Sequence, residues 1–316
     1  MKSRLSKFMD IKRIEFIITW QCGGKCKHCQ MGDNINKCGS HRHVLLENAV
    51  DALRKISTVY EVTSVMTFGG EPLYYPEVTS EIHKAATECG IETRQIITNG
   101  YFTKSVEKSK TVANALADAG VNNLLLSVDA FHQEYIPFEP VYQFASDIIN
   151  ANVLGFRLHP AWLVSADHQN PYNAKTKEIL GRFSDLPIKV SEGNNIWLQG
   201  NTVKFLREYY GNNELVLSEN GVTAPCSELL EVTSISIVPN GDIEVCSFVI
   251  GNIYEEDVID VVAHYNPYEH EGMLAVIKGG VSELLAYARK RGIIVNTSDY
   301  YDTCEVCQTM AKRLKE

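Results

Sequence analysis

Apolar positions along the chain follow two rhythms. Short runs rich in β-branched and aromatic residues read as strands: Arg13–Thr19, Glu61–Thr67, Thr93–Thr98, Asn123–Val128, Phe156–Val164 and Pro187–Val190. Between them lie stretches with helical spacing: Leu45–Ser57, Glu77–Cys89, Val106–Ala119, Val141–Asn152 and Ala174–Phe183. In the first of these, Leu46, Ala49, Val50 and Leu53 recur on one helix face. Strand–helix alternation predicts parallel strands joined by right-handed crossovers, and six such units predict an open or partial barrel.

The rhythm changes after residue 210, where Gly211-Asn212-Asn213 marks a boundary. Beyond it, VTSISIVPNGDIEV predicts two strands around the turn Asn240-Gly241. Helices are expected over Val258–His264 and Val281–Arg291. The fold class expected is therefore α/β: a partial (β/α)6 TIM-like barrel over residues 1–210, with a small α+β extension over 211–316.

Composition narrows the function. With 316 residues, 45% hydrophobic and 22% charged, the chain can bury a large core. A net charge of −9 argues against nucleic acid as a partner, because a polyanion calls for a basic footprint. No apolar run approaches a membrane span, and MKSRLSKFMD lacks the apolar core of a signal peptide, so a cytoplasmic protein is expected. In that setting the 9 cysteines read as metal ligands or catalysts rather than disulfides.

In parallel α/β folds, sites form at the carboxyl ends of the strands. The first predicted strand is followed by QCGGKCKHCQ, with Cys22, Cys26 and Cys29 spaced C-x3-C-x2-C. The second is followed by Gly69-Gly70-Glu71-Pro72, the third by Asn99-Gly100, and the fourth ends in Ser127-Val128-Asp129. Thiolates are soft ligands for zinc or iron–sulfur clusters. Structural zinc closes with four ligands, whereas three thiolates on a four-iron cluster leave one iron open.

The cysteine spacing, the GGEP segment and the serine–aspartate pair together resemble the radical S-adenosylmethionine superfamily, over residues 11–200. The resemblance implies that Cys22, Cys26 and Cys29 ligate a [4Fe-4S] cluster whose open iron binds S-adenosylmethionine. It implies that His28 lies near the adenine, and that Gly69, Gly70 and Glu71 meet the methionine amino group. Ser127 and Asp129 would bind the ribose, with Asn99 in the same region. It also implies an external electron donor of flavodoxin or ferredoxin type.

Four more cysteines lie late in the chain: Cys226 and Cys246 around the Asn240-Gly241 turn, and Cys304 and Cys307 as a C-x2-C. By spacing alone zinc and a four-iron cluster are equally open. Beside the first motif, they resemble the auxiliary-cluster extension called Twitch, a shortened SPASM domain, which implies a second [4Fe-4S] cluster. The layout is similar to peptide epimerases of the superfamily, including the S-x-D-x-x-H segment Ser127, Asp129 and His132. There the residue after the hairpin ligand is a cysteine that returns a hydrogen atom; here it is Ser247. An oxidative outcome on a peptide is therefore expected. Epimerisation with another donor, a small-molecule substrate, or a non-catalytic metal scaffold stand as alternatives. Cys38 is the candidate hydrogen-atom donor, and Cys89 is expected to be a buried structural thiol. Further substrate contacts are sought at His132, His159, Trp162 and Trp197.

Overall fold

Strand β1 (Met9–Thr19) is the axis of the molecule. Its apolar residues Met9, Ile11, Ile14, Phe16, Ile17 and Ile18 are buried, and hydrogen-bonded strands flank it on both sides. The computed structural model describes residues 5–32, 35–211, 226–296, 300 and 303–315. Asn212 and Asn213 of the expected boundary lie outside them.

On one side of β1 run β2 (Ser64–Gly69), β3 (Thr93–Thr98), β4 (Asn123–Ser127), β5 (Arg157–His159) and β7 (Lys189–Val190), all parallel. On the other side β9 (Val232–Ile237) pairs parallel with β1, and β10 (Asp242–Val245) and β11 (Phe248–Asn252) follow as antiparallel neighbours. The result is an open nine-stranded sheet, order β11-β10-β9-β1-β2-β3-β4-β5-β7. The α/β class with a mostly parallel sheet is as expected. Two details differ. The expected strand Phe156–Val164 breaks at Pro160, which has no N–H for a ladder. Beyond it β6 (Ala161–Trp162) pairs with β8 (Asn194–Asn195) as a separate small sheet. The turn at Asn240-Gly241 forms between β9 and β10, but a second hairpin, β10–β11, has Cys246-Ser247 as its two-residue turn. Nothing in that pair announces a turn.

The helices cover the sheet. In α1 (Leu46–Val59), Ala49, Ala52, Leu53 and Ile56 form the buried stripe. Then come α2 (Pro76–Glu88), α3 (Val106–Asp118), the short α4 (Ala130–Gln133), α5 (Phe138–Asn150), α6 (Pro171–Gly181) and α7 (Asn201–Phe205). Side chains of Ser105 and Asn170 cap α3 and α6 by accepting from the amides of Lys108 and Asn173. The C-terminal helices are α8 (Val258–His264), α9 (Glu271–Lys290) and α10 (Thr303–Lys315). Helix α9 starts earlier than expected because it bends at Gly279 and Gly280, where the backbone leaves helical geometry.

One hydrophobic core joins the two ends of the chain. Ile14, Phe16 and Leu53 share it with Ile235, Met273, Leu284, Val306 and Met310. A second core, containing Leu124, Leu126, Phe144 and Leu158, lies under β3–β5 and α3–α5. Among the described residues no helix is long and apolar enough to cross a membrane.

Candidate active site

The loop after β1 carries Cys22, Cys26 and Cys29, with Cys26 buried and the other two half-buried. Gly24 sits between two of the thiols. A Cβ there would lie 3.2 Å from Cys26 Sγ and 3.5 Å from Cys22 Sγ, so any side chain would fill the space between them. The Gly24 amide donates to Cys22 Sγ at 3.3 Å, and Asn99 Nδ2 donates to the same sulfur at 3.5 Å. Burial pushes the Cys22 thiol up to about 12 and raises Cys26 and Cys29 as well, with the neighbouring negative charges adding to it at Cys22 and Cys26. Three neighbouring thiols that resist ionisation fit a site whose positive charge comes from a bound metal centre. The soft donors and the space beside Gly24 suit an iron–sulfur cluster.

Beside these thiols is a cavity of about 140 Å³. Its walls include Gly69, Gly70, Thr98, Asn99, Ser127, His28 and His132. Glu71 and Asp129 are not among them. Glu71 is 0% exposed. Its Oε1 accepts from Thr98 Oγ1 at 2.7 Å and the Leu73 amide at 2.9 Å, and its Oε2 from the Asn99 amide at 2.9 Å. Burial, only partly offset by these bonds, raises its carboxyl to about 7. Glu71 thus ties the end of β2 to the end of β3. Gly70 answers to a similar constraint: a Cβ there would lie 2.2 Å from the Gln21 carbonyl oxygen. Its amide donates to Thr19 O at 2.7 Å, and that of Glu71 to Gln21 O at 2.7 Å. Close approach to the cysteine loop therefore demands this glycine, independently of any ligand.

Asp129, also 0% exposed, caps α4. Its Oδ1 accepts from the amides of Phe131 and His132, and its Oδ2 from His132 Nδ1 at 2.8 Å and the Ala161 amide at 3.1 Å. Burial alone would raise the carboxyl, but the His132 ring and these donors overcome it and hold Asp129 well below the usual range. For His132 burial opposes protonation, and the Asp129 carboxylate outweighs it, so the imidazole is raised. His28 is lowered to about 4 by burial, its Nδ1 has no hydrogen-bond partner among the described residues, and its ring packs 4.9 Å from those of Phe131 and His132.

A larger cavity of about 730 Å³ adjoins the first, and Phe68 lines both. It reaches from Trp20 and Gln30 to Cys246, Ser247 and Gln308. Across its floor Glu15, Ser236 and Glu244 stand side by side on β1, β9 and β10. Glu15 pairs with Arg13 Nε at 2.7 Å and accepts from Ser236 Oγ at 3.3 Å. Residue patterning could have pointed to Glu15, a lone acid inside the apolar run IEFIIT. Gln30, Gln199 and Gln308 carry no such signal.

Of the residues sought as substrate contacts, His132 alone lines either of these two cavities. His159 Nδ1 bonds Ser191 Oγ at 2.8 Å, Trp162 Nε1 donates to Glu192 O at 2.7 Å, and Trp197 is 64% exposed. Cys38 is half-buried between Lys37 and Gly39, which line the large cavity. Cys89, expected to be buried, is exposed, because it caps the solvent side of the last turn of α2.

The late cysteines come together. Cys226 and Cys246 share a hydrogen bond, which lowers Cys226 to about 6 and raises Cys246. Cys307, on α10 with Cys304, is pushed up to about 12 by burial and by the charges of Cys226 and Cys304. Cys246 and Ser247 both hold left-handed backbone, φ 49° and 70°. That suits a two-residue hairpin turn but strains residues with side chains.

Residues 16–149 match the sequence profile described as Radical SAM superfamily. A GTP 3',8-cyclase from Moorella thermoacetica is 23% identical over 125 residues, covering 40% of this chain and 36% of that protein. One from Thermodesulfovibrio yellowstonii is 26% identical over 133 residues, covering 42% and 39%. The matched part of the chain thus spans less than half the length of these relatives. Among solved structures, native anSMEcpe with bound AdoMet has the same fold, with a TM-score of 0.53 at 14% identity over 96% of this chain and 99% of that one. Over residues 16–149, then, this chain is similar to the Radical SAM superfamily.

Proposed function

We propose that this chain is a radical S-adenosylmethionine enzyme that oxidises a peptide segment held between two cysteine-bound clusters. Cys22, Cys26 and Cys29 hold the first, and Cys226, Cys246, Cys304 and Cys307 the second, in a Twitch-like extension. When bound, the first cluster would supply the electron for reductive cleavage of S-adenosylmethionine, and the second would offer an electron acceptor. The observation that supports this reading is the adjacency of the two cavities: Phe68 lines both the space beside the first thiols and the larger one beside Cys246.

The chain's residues contribute placement. Gly24 keeps the space between two ligands clear, and Asn99 donates to one of them. Asp129 fixes the His132 ring at the wall of the small cavity, where Ser127 and the glycines face the cofactor. The proposed reaction would take two hydrogens from the substrate, one as an atom recovered in 5′-deoxyadenosine and one as a proton, with the remaining electron taken up by the group that Cys226, Cys246, Cys304 and Cys307 would hold. An external flavodoxin- or ferredoxin-type donor supplies the reducing electron.

The carboxamides Gln30, Gln199, Asn240 and Gln308 around the large cavity offer both donors and acceptors, which suits peptide groups. The relatives' name offers a second reading, a nucleoside triphosphate. Glu15, Asp242 and Glu244, set against Lys37 and Lys312, make that cavity a poor host for a polyphosphate.

Anaerobic reconstitution tests the reading. About eight irons per chain are expected from two four-iron clusters. Changing Cys22, Cys26 and Cys29 to Ala should leave about four irons and abolish 5′-deoxyadenosine formation. A triple variant that still makes 5′-deoxyadenosine overturns the assignment.

A further inference from the structure

Cys22 differs from its two companions in how its backbone is held. Cys26 and Cys29 share a turn, with the Cys29 amide donating to Cys26 O at 3.1 Å. The peptide groups of Cys22 are instead gripped by one side chain from later in the chain. The Cys22 amide donates to Asn36 Oδ1 at 3.0 Å, and Asn36 Nδ2 donates back to Cys22 O at 3.1 Å. The pair imitates one rung of an antiparallel ladder and orients the peptide planes on both sides of the Cys22 Cα. That orientation sets the direction of the Cα–Cβ bond and so the position of Sγ.

Asn36 reaches this place from a left-handed backbone, φ 63°, which asparagine tolerates better than most residues. Its own amide donates to Trp20 O at 2.9 Å, so its backbone is anchored apart from its side chain. Both side-chain bonds are solvent-exposed, where a hydrogen bond adds little to stability. Orientation is the larger consequence. From Asn36 the chain runs directly into Lys37, Gly39 and His41, which line the 730 Å³ cavity.

We propose that Asn36 is a positioning residue: it sets the geometry of Cys22 as a cluster ligand and couples that ligand to the wall of the large cavity. The proposal rests on the reading of Cys22 as a ligand. The test uses Asn36→Gly, which keeps the left-handed backbone and the bond to Trp20 O while removing both side-chain bonds, and Asn36→Asp, which keeps the acceptor for the Cys22 amide. In the metal-free chain, hydrogen exchange at the Cys22 amide should be about tenfold faster in Asn36→Gly, with core amides unchanged. In the reconstituted protein the electron paramagnetic resonance spectrum of the reduced N-terminal cluster should shift, and 5′-deoxyadenosine formation should fall about tenfold. Asn36→Asp should lie between parent and Asn36→Gly.

Unchanged exchange at Cys22 overturns the proposal. So does faster exchange with an unchanged spectrum and rate, which would make the clamp merely local structure. Iron lost in Asn36→Gly and not restored in Asn36→Asp also overturns it, because loop folding would then be the common cause. A parent protein that binds no iron at Cys22 fails the underlying reading instead, and Cys22→Ala in the same assay separates the two.

Discussion

Asp129 Oδ2 lies 2.8 Å from His132 Nδ1, with the carboxylate fully buried and the ring at the edge of the small cavity. The pair gives the carboxylate of the SVD segment a structural role of its own. It fixes a short helix, a strand and an imidazole at once.

The pH dependence of that pair follows from the opposed shifts. His132 is raised, so its contribution is fully present below its unfolded value of 6.5 and is lost as pH rises through the folded value. Asp129 is depressed, so its contribution is present above 3.8 and is lost as pH falls through its folded value. Asp129→Asn is therefore expected to cost about 3–5 kcal/mol near pH 6 and less at pH 9. Urea unfolding of parent and variant at the two pH values measures this. An equal loss at both would show that the capping bonds alone matter.

Glu71 should act in the opposite sense. Its folded carboxyl is raised to about 7, so the native state holds a proton that the unfolded chain releases, and its own contribution to stability falls as pH climbs from 4.5 to 7. The fall is on the order of 3 kcal/mol. Buried neutral His28 acts in the opposite sense over the same window, so the quantity to follow is the difference between parent and Glu71→Gln. That difference should shift in the variant's favour as pH climbs, although the variant is less stable at the start because one acceptor for Thr98 and the two amides is lost. Thermal unfolding of both proteins across the window gives the difference; one that does not change with pH overturns the assignment.

Gly70→Ala should be far more damaging than another glycine change. Its Cβ would meet the Gln21 carbonyl at 2.2 Å, so the cysteine loop must move. A loss of about 1–3 kcal/mol and reduced iron uptake are expected. Gly181→Ala, with nothing within 4 Å of its Cβ and ordinary φ, should be neutral or stabilising by up to about 1 kcal/mol. Melting temperatures and iron counts of the two variants give the comparison.

Ser247→Cys probes the reaction outcome. Ser247 lines the large cavity beside Cys246, and a thiol there can return a hydrogen atom that a hydroxyl cannot. The parent should give a product lighter by two hydrogens. The variant, in heavy water, should divert part of the flux to a product with one deuterium. Deuterated product of otherwise unchanged composition from the parent would sink the oxidative reading, and Cys38→Ala would then be the next variant to assay.

Much of the architecture was legible because periodicity is a local property. Strand Thr93–Thr98 and helix Val258–His264 emerge with the limits that their patterns predict. The Cys246-Ser247 turn was hidden because neither residue favours left-handed backbone; tertiary contacts impose it. Within the candidate site, spacing located the cysteines and glycines, yet it could not tell a carboxylate that faces a ligand from one that knots two strand ends together. Glu71 and Asp129 both tie chain segments together in this way, and only their hydrogen-bond partners reveal it. Asn36 was invisible for a similar reason, since its value lies in a contact with Cys22 across a loop.

β1 feeds the first cysteine loop from its end and hydrogen-bonds directly to β9, which pairs in turn with β10, the strand that leads into Cys246. The first cysteine loop and the Cys246 turn are therefore bolted to a single girder. Strand register sets how far apart those two turns stand. On the proposed reading, a substrate lodged between them would meet a gap whose width the sheet dictates, so selectivity for substrate length would begin in the scaffold before any side chain makes contact.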